Sequence, residues 1–221
     1  MAKINPVRIK VPARISFVKL AKPEPDMNNK GTEYSVECRI PKEDTATLKM
    51  IRDAMKKVLI EACGEKTDKW PFNFRAKDFF ETYLSPTGQD GFFLRDGDAK
   101  ENEEYHGLAF FTARSFAKTG KTPYQPSCGK MLGEGRWARL TGEKLEEEIY
   151  SGCYADVVVD VYWYDNADTK KKGIGASLKA VMKTADGERL SGSTPVNMNE
   201  FFGEEGSVDE LEAGEDDNYN V

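Results

Sequence analysis

The sequence predicts a mainly β protein of the α+β class, in which strands supply the body, one amphipathic helix packs on them and a disordered acidic tail follows. Three observations carry this. From Tyr154 to Met182 apolar and polar residues alternate with a period of two, broken only by a polar turn at Asp165 to Lys172. From Glu43 to Ala62 the apolar period changes to three and four. Residues 204–221 hold eight acids (Glu204, Glu205, Asp209, Glu210, Glu212, Glu215, Asp216, Asp217) and no Lys or Arg. Period two marks a half-buried strand, period three to four a helix, and unbalanced charge without large apolar residues a segment that cannot bury a core.

Taken in order, Ile4 to Leu20 is a first strand with Val7, Ile9, Val11, Ala13, Ile15 and Phe17 on its core face and Arg8, Lys10 and Arg14 on the other. A polar loop, Lys22 to Lys30, leads to a second strand, Thr32 to Ile40, with Tyr34, Val36, Cys38 and Ile40 inward. The helix presents Leu48, Ile51, Met55, Val58, Leu59 and Ala62 to the core and closes at Gly64. Trp70, Phe72 and Phe74 either fill the core, the favoured reading, or line a groove, and Gly91 to Asp98 reads as a short strand running into a turn. Tyr105 to Lys118 carries Ala109, Phe111, Ala113, Ser115 and Ala117 on its inner face. Gly120 to Arg139 reads as a loop, and Thr141 to Glu148 as a short acidic helix or turn. The long hairpin follows. Ala155, Val157, Val159, Val161 and Trp163 face the core from its first strand, and Ile174, Ala176, Leu178, Ala180 and Met182 from its second. The expected organisation is one domain, residues 1–203, and a tail, residues 204–221.

Composition narrows the function. The net charge of −6 is an average over a body with 32 bases against 30 acids and a tail with eight acids alone. No apolar run approaches a membrane span and the N-terminus lacks the apolar stretch of a signal peptide, so a soluble, cytoplasmic protein is expected. Cys38, Cys63, Cys128 and Cys153 form no CxxC pair and His106 is the single histidine, which argues against a structural zinc or any other cofactor. GKT at Gly120 to Thr122 lacks the upstream glycine of a phosphate loop, and Lys100 stands where a calcium loop beginning at Asp96 needs an oxygen. With no catalytic pairing for His106 and no standout carboxylate cluster, the chain reads as non-catalytic.

The residues left over are aromatic and basic. Phe110, Arg114, Phe116 and Lys118 share the outer face of one strand. Lys121, Tyr124, Arg136, Trp137 and Arg139 lie in the segment after it, where Glu134 is the one acid. Tyr154, Tyr162 and Tyr164 face solvent on the hairpin, beside Asp156 and Asp160. Rings can pack across strands, or stack on nucleobases while cations neutralise phosphates. The two aspartates would repel a phosphate unless Lys179 and Lys183 neutralise them. Failing that, the binding surface falls to Arg8, Lys10, Arg14, Phe110, Arg114, Phe116 and the Gly120 to Arg139 segment.

IYSGCY at Ile149 to Tyr154, VxxxxYxYDN at Val157 to Asn166 and KGIxxxLxxV at Lys172 to Val181 together resemble a family of phage-encoded single-stranded DNA-binding proteins. LRDGD at Leu94 to Asp98, the Tyr105 to Lys118 strand, the N-terminal strand pair and the acidic tail fit the same resemblance. It implies an OB-fold-like five-stranded barrel elaborated by the long hairpin and the helix. It also implies binding of single-stranded DNA without strong sequence preference in phage replication, recombination and repair. The tail is then expected to contact replication proteins such as a polymerase or helicase and to compete with DNA. Related phage and bacterial tails often end in an aromatic residue; this one ends Tyr219, Asn220, Val221. A strand-annealing recombination accessory is a second class, and a metal-dependent nuclease a third; monomer and homodimer both remain open.

Overall fold

In a computed structural model of the protein, which describes residues 4–26, 29–76, 78–166 and 171–190, the period-two segments join one eight-stranded sheet. Its strands are β1 (Val7–Pro25), β2 (Gly31–Pro41), β3 (Arg95–Asp96), β4 (Leu108–Lys118), β5 (Ser127–Gly133), β6 (Arg136–Arg139), β7 (Tyr154–Asn166) and β8 (Lys171–Ala185). They run in the order β3-β4-β2-β1-β7-β8-β5-β6. One further pairing, the parallel contact of Arg114 on β4 with Ser177 on β8, closes β1, β2, β4, β8 and β7 into a barrel. A five-stranded barrel closed by a parallel pairing of its third and fifth strands is the OB-fold. β3 and the β5–β6 pair are additions at either side. The described residues belong to one unit, Met1–Leu190. The expected boundary at residue 203, the tail and the hairpin tip at 167–170 lie outside the described residues.

One face of each barrel strand supplies the core. Val11 and Ile15, Val36 and Cys38, Ala109 and Phe111, Val157 and Val159, and Leu178 are all fully buried. Helix α1 (Thr45–Cys63) lays Leu48, Ile51, Met55, Val58 and Leu59 on this core, packing mainly against β1 and β7. Each such side chain contributes about 1.5–3 kcal/mol on removal from water. Asp44 caps the helix by accepting from the Thr47 N–H at 3.0 Å, and Gly64 ends it at φ 86°. Trp70 and Phe74 are buried as expected, with Phe79 of α2 (Phe79–Thr82) tilted against Phe74 and Phe92 edge-on to Phe79, whereas Phe72 is exposed. The acidic segment forms α3 (Glu143–Glu148). Cys38, Cys128 and Cys153 are buried and Cys63 half-buried, all as free thiols. Among the described residues no helix is long and apolar enough to cross a membrane.

Three further expectations are corrected. Phe17 is 61% exposed rather than inward, because the β1–β2 register shifts between Ser16 and Lys19 and Phe17 takes a left-handed φ of 48°. Gly120 to Arg139 is not all loop: its second half is the β5–β6 hairpin, with β5 also paired in parallel to β8. The reversal falls at Gly133, Glu134 and Gly135, all with positive φ, which two glycines make inexpensive. On β8 the partner of Val158 is Ala180 and that of Val159 is Leu178, so Lys179 is an extra residue. Such a bulge inverts the facing of everything beyond it. Val181 and Lys183, opposite Val157 and Ala155, therefore turn to the core side, not Ala180 and Met182.

Lys183 is thus no phosphate ligand. Its ammonium is buried and bonded to Glu148 at 2.6 Å and Asp186 at 2.8 Å. Hydrogen bonds from Lys130, then Lys183, hold the Glu148 carboxyl below its usual range, and Lys183 does the same to Asp186. A carboxyl depressed on folding stabilises the fold above its unfolded pKa of about 4.3 and loses that contribution as pH falls through the lower, folded value. Thermal melting measured from neutral to acid pH should show the midpoint declining below about pH 4. Glu148→Gln should lower the neutral midpoint and make the acid decline shallower; an identical acid limb in wild type and variant would refute the assignment.

Candidate nucleic-acid interface

The outward face of the barrel is polar, and its charges come in pairs. Arg8 on β1 stands opposite Asp160 on β7 and donates to both carboxylate oxygens, at 2.7 and 3.0 Å. Lys179, on the bulge of β8, approaches the same carboxylate at 3.6 Å. These cations, Arg8 foremost, hold the Asp160 carboxyl below the ordinary range. Lys10 meets Asp156 at 2.8 Å, and Arg114 on β4 meets Glu33 on β2 at 3.3 Å. The two hairpin aspartates are therefore neutralised, chiefly from β1, with Lys179 contributing and Lys183 not.

Exposed rings stand among these charges. Tyr162 lies over Gly175, where an added Cβ would fall 2.7 Å from the ring, and it feels the charge of Arg114. Tyr164, half-buried, is tilted against it at 6.5 Å. Tyr124 is 60% exposed, with the Lys179 ammonium 5.6 Å from its ring centre. Phe116, also exposed, lies over Gly31, where an added Cβ would fall 2.7 Å from the ring. Lys118 pairs with Gly31 across the strands, and Lys121 lines a shallow groove at the same end of β4. Tyr154 stands beside Arg14, whose guanidinium donates to the carbonyls of Gly152 (3.1 Å) and Glu188 (2.9 Å) and so is oriented without being neutralised by them. Both line a groove of about 530 Å³ with Pro12, Arg39 and Leu108.

Phe110 is 1% exposed, so no base can reach it. Its ring packs edge-on against Tyr105 at 4.8 Å and lies under the Arg95 guanidinium at 4.1 Å. The outer faces of β2 and β4 are covered here because the Glu103–Tyr105 turn folds over them, which alternation alone could not show. Beneath, Glu37 accepts from Tyr105 (2.7 Å), Ser16 (3.0 Å) and Arg39 (3.3 Å), a buried network with its acceptor well supplied. Burial and the bond to Glu37 push the Tyr105 hydroxyl up to about 12. Arg95 and Arg114 face a small cleft of about 150 Å³ with Thr87, Gly88 and Thr112, room enough for a phosphate group.

Two residues of this face escaped the sequence reading. Arg95 sits on a strand of two residues, too short for any period. Phe17 sits on a bulge, where the period fails, and stands 6.0 Å from the Arg39 guanidinium. The β5–β6 hairpin carries the face beyond β8. Trp137 is half-exposed near Met182, both within about 3 Å of a Cβ built on Gly129, and Arg139 lies 5.9 Å from its ring. Arg136 is paired with the exposed Glu134, at 3.6 Å. The eight tail acids lie outside the described residues. Among the described residues no group of three or more His, Cys, Asp or Glu could hold a metal ion. What this surface offers is ring faces for bases and cations for phosphates.

"Putative protein p50" of Acyrthosiphon pisum secondary endosymbiont phage 1 is 28% identical over 189 residues, 85% of this chain and 88% of that protein. The single-stranded DNA-binding protein from bacteriophage Enc34, solved in complex with ssDNA, matches at a TM-score of 0.60 with 21% identity, covering 86% of this chain and all of that one. The gp2.5 single-stranded DNA-binding protein of bacteriophage T7 matches at 0.52 with 15% identity, covering 89% of this chain and all of that one. These two structures bear out the fold. The model of the family described as the Enterobacter phage Enc34 ssDNA-binding protein matches residues 6–212, and the chain belongs to that family.

Proposed function

We propose that this protein binds single-stranded DNA without sequence preference on the outer face of its barrel and does no chemistry on it. The observation that carries this is the set of exposed rings, Phe17, Phe116, Tyr124, Trp137, Tyr154 and Tyr162, set among Arg8, Arg14, Arg95, Arg114 and Lys179. Exposed rings are unfavourable in water and sequence-tolerant as stacking partners, since every base has a π face. Its biological role is to protect single strands during phage DNA replication, recombination and repair in the cytoplasm of the host.

Affinity for a fluorescent oligonucleotide, single- and double-stranded, tests the reading. Tyr124→Ala and Tyr162→Ala should each weaken single-strand binding by about 1–3 kcal/mol. Lys121→Ala should reduce the log–log salt slope by about 0.7, the share of one phosphate contact. Wild-type protein that holds neither strand form, or folded variants indistinguishable from it, would overturn the site.

Phe17 separates binding from stability. A phenylalanine at positive φ costs about 1–3 kcal/mol that glycine at the same place avoids. Phe17→Gly should therefore leave the melting temperature unchanged or raise it while weakening single-strand binding. A loss of both would make Phe17 an ordinary structural residue.

The tail, residues 204–221, is assigned to partner recruitment and self-regulation. A tethered polyanion is present at an effective concentration of roughly millimolar and competes with a strand for cations, most strongly at low salt. Deleting it should tighten DNA binding at low ionic strength and abolish capture of the phage or host polymerase or helicase. Identical salt titrations and equal capture would reduce it to a solvated end.

A further inference from the structure

Three cations of the binding face are occupied before any DNA arrives, and in each pair it is the acid that is built in. The side chains of Asp160, Asp156 and Glu33 are 10%, 23% and 9% exposed, against 66%, 66% and 47% for their partners Arg8, Lys10 and Arg114. The carboxylates are held low in the sheet, while the cations reach over them from the outside. An arginine or lysine on a flexible stem can swing to a phosphate; a carboxylate fixed on a strand cannot follow it.

We infer that Glu33, Asp156 and Asp160 are specificity-determining residues, internal competitors for phosphate that make this face select single strands over duplex. The inference rests on the single-strand reading above. With these three cations paired, the face has less net charge to attract a polyanion at long range. A phosphate landing on Arg8, Lys10 or Arg114 displaces a protein carboxylate and leaves that acid behind. Electrostatics at these three positions then gains little, and more of the binding must come from bases stacked on the exposed rings. A single strand offers bases. A duplex keeps them stacked on one another and offers phosphates only, so it is refused. The same exchange flattens the salt dependence, because a phosphate contact that replaces an internal ion pair adds less net charge neutralisation than one made by a free cation.

The experiment uses the full chain with Glu33→Gln, Asp156→Asn and Asp160→Asn, singly and together, and Glu65→Gln as a control that removes an exposed acid without a partner on this face. Affinities for single-stranded and duplex oligonucleotides are measured over a salt series, with melting curves to confirm folding. Each freed cation should steepen the single-strand slope by roughly 0.7, so the triple variant should gain about 2. Duplex affinity should rise more than single-strand affinity, lowering the preference for single strands by about tenfold, with the control unchanged. Asp156, the least buried of the three acids, carries the test by itself if the others do not fold. Slopes and preference equal to wild type in the folded Asp156→Asn variant, or the same change in Glu65→Gln, would overturn the inference. A wild type with no affinity for single strands would instead bring down the reading beneath it.

Discussion

The contact of Arg114 on β4 with Ser177 on β8 is a single residue pair, yet the geometry of the surface depends on it. Without it the sheet is an open ribbon whose two ends, β4 and β8, need not meet. With it, the outward side chains of β4, β8, β7 and β1 wrap one continuous surface, and Tyr162, Arg114, Lys179 and Tyr124 become neighbours. Closure is driven from the other side of the strands. Val157, Leu178, Ala113 and Phe111 lose contact with water only when the barrel is shut, and helix α1 can then seal it.

A second constraint acts across the outer face. Buried charge is tolerated where its partners are in place, and Glu37 has three donors around one oxygen. That network fixes Arg39, and with Phe110 beneath it and Thr112 beside it, Arg95 as well. Phe110 therefore does contribute to the face, as a cushion under a guanidinium rather than as a platform for a base. The same economy explains Lys183. A cation that alternation would place in solvent is turned inward by a bulge and ties α3 to β8 through Glu148.

The parts of the fold legible in the sequence are those with a clean period. β1 through Ser16, β2, α1, β4 and β7 are where alternation or helical spacing put them, since one face of each is buried and the pattern records which. Two of the errors share one cause. At Phe17 and at Lys179 one extra residue enters a strand, and period-two reasoning assigns everything beyond to the wrong face. The β5–β6 hairpin was hidden for another reason: a glycine-rich, basic segment becomes a strand only because β8 offers an edge for it. At the site, the residue types were legible but their partners were not. Arg8, Lys10 and Arg114 look like free cations in the sequence, because Asp160, Asp156 and Glu33 are brought to them only by strand pairing.

The glycines beneath the exposed rings have a consequence of their own. Phe116 over Gly31, Tyr162 over Gly175 and Trp137 over Gly129 each lie against backbone where any Cβ would intrude. A ring seated this way packs one face on the main chain, as in the aromatic rescue of strand glycines, and leaves the other to solvent. Its torsions are restricted before a ligand comes, so the rotamer entropy that stacking would otherwise forfeit, about 0.5–1.5 kcal/mol for each immobilised side chain, has already been lost on folding. Alanine at Gly31, Gly129 or Gly175 would keep every ring and every charge in the sequence, yet it would unseat a platform and return that disorder to the unbound state.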